Sequence, residues 1–268
     1  MKTKSQDLKH QNEKFIFERK STEERGAKLK KHIHPFYEVM CFDGGEAEFV
    51  IEDRQYVVKR GDVLLIKPAK YHFCNNVITA PYKRYCLIFS EDVVEDKDFL
   101  KNLYAEAEML SPGEDSVVFK LMRAMSLKLE TNPQNDGEFG KAMINAILLA
   151  VEDGVESAPE KTAHENNNNF TRILNYVNSH LNSINSVEDI SVALFLSKSY
   201  VMHIFKSELK IGVMQYVRNK KILFANEEMK KGKKPTDIYQ ECGFTNYSTF
   251  YRAYLAYFGH SPRGDKHS

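Results

Sequence analysis

The chain has no apolar run approaching the length of a bilayer span; Ala146–Val151 is among its longest. Its opening residues, Met1–Lys14, are polar and charged and lack the apolar stretch of a secretory signal. Cysteine is scarce: Cys41, Cys74, Cys86 and Cys242 are scattered without paired spacing, which argues against a disulfide framework or a zinc ribbon and fits a reducing compartment. These absences predict a soluble, cytoplasmic protein without a membrane partner. A phosphate-binding loop, a paired redox motif and an activated nucleophile are missing too, so the chain is not expected to be an enzyme.

What is present is ordinary globular composition, 42% apolar and 28% charged, over 268 residues, enough for two average domains. The net charge of +1 hides an asymmetry. Residues 170–268 carry 14 Lys+Arg against 8 Asp+Glu, so a polyanion would be met by that end of the chain. Residues 152–169 read EDGVESAPEKTAHENNNN, with almost no large apolar side chain to offset the entropy of ordering, and are expected to be an exposed linker. That divides the chain into domains at 1–151 and 170–268.

Residues 15–90 are rich in β-branched and aromatic residues in short alternating runs. Glu46–Ile51 and Arg54–Val58 flank a tight Glu52-Asp53 connection, a hairpin signal. Further short strands, punctuated by Gly44-Gly45, Gly61 and Pro68, complete the pattern of a small antiparallel barrel or jelly roll. Helical periodicity follows over Lys97–Leu110, Ser116–Glu130 and Glu138–Glu152. Met122, Met125, Leu129, Met143, Ile147 and Leu148 on these helices exceed what a small barrel needs to cover itself, and are expected to form a homodimer contact.

Beyond residue 170 the pattern is all helical and contains one layout twice. Val187–Ser191 is followed by Leu194–Ser197 and a helix through Phe205; Pro235–Ile238 is followed by Cys242–Phe244 and a helix from about Tyr247 through Tyr254. Ser197 suits an N-cap, Pro235 a first helical position and Gly243 a left-handed turn. Each unit has helix-turn-helix proportions, and a long polar helix over Val213–Lys231 joins them.

The run Ser197–Tyr200 with Ile204-Phe205-Lys206, then Gly243-Phe244 with Ser248, Phe250 and Arg252, and the closing Phe258-Gly259-His260-Ser261-Pro262, resembles the DNA-binding domain of the AraC/XylS transcription regulators. The resemblance implies that the second helix of each unit enters the major groove of double-stranded DNA, in adjacent turns on one face. It assigns the exposed face of the first reader to Ser199, Met202, His203 and Lys206, with Lys198 and Lys206 as phosphate contacts, and that of the second to Tyr247, Ser248, Tyr251 and Arg252. Phe205, Phe250 and Tyr254 are expected in the core. Four places depart from the family pattern: Tyr239 stands where alanine or glycine is usual, Lys210 where glycine follows the first reader, Tyr254-Leu255 where Phe-Lys is common and Asp265-Lys266 where Tyr-Arg is common.

In the N-terminal part, His32-Ile33-His34 and Glu38, then His72, have spacings similar to the two motifs of cupin barrels, whose metal ligands would fall at His32, His34, Glu38 and His72. Alternation in a strand would put His32 and His34 on one side. Sensing domains of AraC-like regulators keep parts of this motif to line an effector pocket instead. The favoured expectation is a small polar effector, a sugar or sugar derivative, held by His34, Glu38 and His72 with Tyr37 or Phe36 offering a ring. A bound divalent metal is the alternative, against which stands the positive charge of Lys70.

Overall fold

A computed structural model describes residues 7–28, 31–132, 136–155, 164–165 and 168–262, and divides the chain into two compact units, Met1–His164 and Glu165–Ser268. Unit 1 opens with strands β1 (Leu8–Gln11), β2 (Phe15–Thr22), β3 (Tyr37–Ile51), β4 (Arg54–Lys59), β5 (Val63–Ile66) and β6 (His72–Phe89). They pair antiparallel in the order β1-β2-β6-β3-β4, with β5 on the first half of β3. Helix α1 (Lys97–Glu106), strand β7 (Met109–Leu110) and helices α2 (Val117–Thr131) and α3 (Asp136–Val155) follow, and the short β8 (His164–Glu165) falls at the boundary between units.

The expected hairpin is present, with Ile51 opposite Arg54 across the Glu52-Asp53 turn. The expected break at Gly44-Gly45 is not, and the strands are not all short: β3 and β6 are long and pair along nearly their whole length. The glycines serve a bulge instead. Gly45 sits at φ +75°, and a Cβ there would lie 2.5 Å from the Thr79 carbonyl oxygen and 2.8 Å from that of Pro81, so only glycine lets β3 cross β6 at this point.

Alternation along the strands builds two cores. Met40, Phe42, Phe49, Ile51, Tyr56, Leu64, Ile66, Cys74, Tyr82 and Cys86 face inward and fill the barrel. Phe15, Phe17, Val39, Cys41, Leu65, Tyr85 and Leu87 face outward and are covered by α1, α2 and α3. Met122, Met125, Leu129, Ile147 and Leu148 are buried in this second core and Met143 packs against it. The residues expected to pair two copies are therefore spent inside one chain, because the sheet's outer face is itself apolar and has to be covered. Val117, Leu127 and Leu149 are the large apolar side chains these helices leave exposed.

Two boundaries differ from expectation. Helix α1 stops at Glu106, and Met109 and Leu110 pair with Leu64 and Val63, which gives the edge of β5 the hydrogen bonds it would otherwise lack. Helix reaches into the expected linker from both ends, through Val155 in α3 and from Asn168 in α4.

Unit 2 is all helical: α4 (Asn168–Ser179), α5 (Val187–Leu194), α6 (Lys198–Leu209), α7 (Val213–Lys230), α8 (Pro235–Glu241) and α9 (Tyr247–Phe258). Local chemistry sets the helix starts. Ser186 and Asp189 form a capping box on α5, the Ser197 hydroxyl accepts from the Tyr200 amide, and the Asn246 side chain accepts from the Thr249 amide. Phe205 packs edge-on to Phe170 and Tyr216 in the first half, and Phe250 and Tyr254 anchor the second.

Among the hydrogen bonds that tie the helical layer of unit 1 to the barrel, one is buried: the Tyr104 hydroxyl of α1 donates to the Glu38 carbonyl at 3.0 Å. Replacing Tyr104 with Phe removes it without changing the packed volume. The variant is expected to lose about 1 kcal/mol in urea unfolding; an unchanged midpoint would show that the bond contributes nothing.

Candidate functional site

The strand that begins at Tyr37 does not include the first two histidines. Pro35 has no amide proton and restricts His34 before it, so residues 33–36 stay out of the ladder. His32 instead forms a lone antiparallel bridge with His72, with amide-to-carbonyl distances of 3.2 and 3.1 Å. The turn before His72 is tied to the other histidine, since the Ala69 amide donates to the His34 carbonyl at 2.8 Å. Ala69 takes a left-handed φ of +59° there without a glycine.

These backbone ties converge four side chains at one end of the barrel interior. One ligand atom from each of His32, His34, Glu38 and His72 lies within 4.8 Å of the others. His34 Nε2 is 3.1 Å and His72 Nε2 3.0 Å from Glu38 Oε2, and the Nε2 atoms of His72 and His32 are 2.9 Å apart. Glu38 and His72 are buried, and the Phe49 ring lies stacked 6.3 Å from His72. Burial alone would raise the Glu38 carboxyl, but the hydrogen bonds and charge of His34 and His72 hold it well below its ordinary range.

The outer nitrogens fix the tautomers. His34 Nδ1 faces the Phe36 carbonyl at 3.1 Å and His72 Nδ1 the Lys70 carbonyl at 2.9 Å. A carbonyl only accepts, so each Nδ1 carries a proton and each Nε2 is the nitrogen turned toward the carboxylate. Four donor groups that converge in this way form an arrangement able to hold a cation.

The expectations for individual residues divide. His32, His34, Glu38 and His72 come together. Tyr37 does not join them: as the neighbour of Glu38 along β3 it points to the opposite face, 4.9 Å edge-on to Tyr104 and 6.0 Å from Phe89. Phe36 does lie near, with its ring 6.2 Å from that of His34. Lys70, expected to repel a cation, is 2.6 Å from the buried Glu52 carboxylate, so its charge is answered away from the cluster.

In unit 2, Ser199, Met202, His203 and Lys206 lie exposed on α6, and Ser248 and Arg252 on α9. Tyr247 and Tyr251 are half-buried, and Tyr247 packs edge-on to Tyr239 at 5.8 Å, so the bulky residue is absorbed between α8 and α9. Lys198 is exposed but paired with Glu188. Lys210 adopts the left-handed C-cap, φ +58°, that glycine would fill more cheaply. Arg252 borders a cleft between α7 and α9 that also takes in Arg218 and Asn219, neither of which the repeated layout singles out.

Sequence reasoning also passed over the group that joins the two helix-turn-helix units. Lys221 of α7 is buried, and its ammonium donates to the Ile184 carbonyl at 2.7 Å, ahead of α5, and to the Gly243 carbonyl at 3.3 Å, in the turn between α8 and α9. A lone lysine in a polar helix carries no sequence signal of this role. Gly243 is at φ +71°, and a Cβ on it would lie 1.9 Å from the Asn182 carbonyl oxygen.

Comparison with known proteins places this geometry. The family described as AraC-like ligand binding domain matches residues 15–147, and a helix-turn-helix domain family matches residues 190–266. The probable transcriptional regulator LumQ of Photobacterium leiognathi is 27% identical over 149 residues, which span 55% of this chain and 59% of that protein. The Msm operon regulatory protein of Streptococcus mutans is 23% identical over 250 residues, 89% of this chain and 87% of that one. Among solved structures, the AraC-like transcriptional activator CuxR aligns with TM-score 0.41 at 15% identity, covering 85% of this chain and 82% of its own. Apo ToxT K231A of Vibrio cholerae aligns with TM-score 0.40 at 15% identity, covering 95% and 97%. The matched families, a ligand-binding domain followed by a helix-turn-helix domain, define the class of ligand-regulated DNA-binding proteins. Within that class, the chain belongs to the AraC-type transcription regulators. Among the described residues no helix is long and apolar enough to cross a membrane.

Gly243→Ala is expected to lower stability in urea by about 2–4 kcal/mol, the sum of a left-handed alanine and an overlap with backbone. Gly232→Ala is the control, since φ is +97° but nothing lies within 4 Å. Equal losses at the two positions would mean that the contact with Asn182 is not a constraint.

Proposed function

We propose that the protein is a cytoplasmic, sequence-specific DNA-binding regulator that reads adjacent major-groove turns with α6 and α9, and whose barrel carries a divalent cation at His32, His34, Glu38 and His72. The observation that carries the DNA reading is the pair of capped second helices, each with a buried apolar stripe and an exposed polar face, held together through Lys221. Arg252 offers a bidentate fork to a guanine edge, Met202 an apolar contact to a thymine methyl, and Lys206 a phosphate contact.

The cation reading rests on the donor set. Imidazole and carboxylate groups suit zinc, manganese, iron or nickel, and the second nitrogens of His34 and His72 are already oriented by carbonyls, as metal-bound imidazoles usually are. Bound there, the ion would supply a positive charge able to hold a ligand oxygen. The chain's own part is to hold three imidazoles and one carboxylate in register and to shield them from water with Phe49. A neutral sugar finds less here, because the polar atoms it would need already face one another.

A gel shift against the DNA upstream of its own and neighbouring genes should show sequence-selective binding. Arg252→Ala and His203→Ala should each weaken it by about 1–3 kcal/mol. Lys206→Ala should weaken all sequences alike and reduce the salt slope by about one. If no selective shift occurs with or without metal and effector, the DNA reading is wrong.

Protein purified without chelator should carry about one equivalent of metal, and His72→Ala should lose it. Metal-free protein together with a sugar-dependent thermal shift that vanishes in Glu38→Ala would overturn the cation and restore the sugar pocket.

A further inference from the structure

The barrel holds a second charged group that the histidine cluster does not use. Arg84 lies on the inward face of β6 between Tyr82 and Cys86, opposite Phe42 of β3, and is 8% exposed. Its Nε donates to the Cys86 sulfur at 3.2 Å, and its guanidinium lies 5.5 Å from the centre of the Tyr82 ring. Neither neighbour is an anion: burial pushes the Cys86 thiol up to about 12, despite the adjacent guanidinium. Among the described residues no carboxylate pairs with Arg84. Glu18, which faces Cys86 from β2, is 2.5 Å from Lys20 and 3.4 Å from Lys9, and Glu38 is taken by the histidines.

A second observation points to the same place. The Tyr82 hydroxyl is buried beside the guanidinium, near enough for Arg84 to act on its oxygen as a donor, and its own proton has no acceptor among the described residues. Arginine cannot shed its proton to relieve burial, so an anion brought against the guanidinium would be favoured. Lys20, the register partner of Arg84 on β2, is half-exposed.

Building on the reading that the N-terminal unit receives a small-molecule signal, we propose that its ligand is a small organic carboxylate. The two oxygens seat on the Arg84 guanidinium fork, and one accepts from the Tyr82 hydroxyl. A planar monoanion matches one guanidinium in charge and shape, whereas a phosphate dianion would leave a charge over. The carboxylate site is separate from the histidine cluster: Arg84 pairs with Phe42 and Glu38 with Ile88, four residues apart on β3.

The test is thermal unfolding of the full chain with acetate, propionate and benzoate, against chloride at matched ionic strength, inorganic phosphate and neutral sugars. At tenfold excess over Kd, a carboxylate should raise the Tm by about 3–6 °C. Arg84→Met should abolish the shift, and without ligand should melt at or above the unmodified protein because an unanswered buried charge is gone. Tyr82→Phe keeps the charge and should weaken the same carboxylate several-fold with little change in the ligand-free Tm. An Arg84→Met protein that melts lower, with no carboxylate shifting either protein, would make the arginine structural and overturn the proposal. An Arg84-dependent shift by phosphate alone would also overturn it. A neutral sugar that shifts the unmodified and Arg84→Met proteins equally would overturn the carboxylate while leaving the small-molecule reading standing.

Discussion

A charge taken out of water has to be answered, and this requirement organises both units. Glu38, Glu52, Asp62, Arg84 and Lys221 are all buried. Glu52 is met by Lys70 and Asp62 by the Lys59 amide and the Ser111 hydroxyl, which pins the turns at the ends of β4. Lys221 is met by carbonyls alone, and Glu38 by imidazoles whose own protons are already committed outward. The sequence of answers runs from complete to incomplete. Where it is complete the charge is structural; Glu38 and Arg84 are where it is least complete, and these are the two places proposed to receive a cation and an anion.

Legibility in the sequence followed the range of the interaction. Capping chemistry acts over three or four residues, so the starts of α6 and α8 and the left-handed turn at Gly243 could be read from Ser197, Pro235 and the glycine itself. The four-residue cluster was legible because motif spacing carries the long-range pairing with it. The role of Lys221 was not, since its acceptors are 37 and 22 residues away and are backbone atoms without identity. Tyr37 failed as a site residue for a local reason: alternation that brings Glu38 inward necessarily turns its neighbour outward. Arg84 could have been noticed by the same rule, as a charge set between Tyr82 and Cys86 in an otherwise apolar inward row.

The apolar residues of α2 and α3 were misread for a related reason. Counting them against a barrel assumes that the sheet has one apolar face. It has two, because Val39, Cys41, Tyr85 and Leu87 alternate with Met40, Phe42 and Cys86 along the same strands. A sheet apolar on both sides needs a helical layer as well as a filled interior. The methionines answer that need before any second copy of the chain is considered.

This double-sided strand also shows how an event inside the barrel could reach the helices of the same unit. Glu38 is where the two sides meet: its carboxylate belongs to the cluster, while its carbonyl accepts from Tyr104 of α1. A change in charge at the carboxylate acts on the segment of β3 whose outward neighbours, Tyr37 and Val39, pack against or within the helical layer. Close-packed interiors transmit strain, so a displacement of this part of β3 would bear on α1 through the Tyr104 bond. A ligand alters the arrangement only if it binds one of the two positions more tightly than the other. The candidate anion at Arg84 and the cluster at Glu38 lie on the same inward face of β3 and β6, so either occupant would act on the strand that Tyr104 holds.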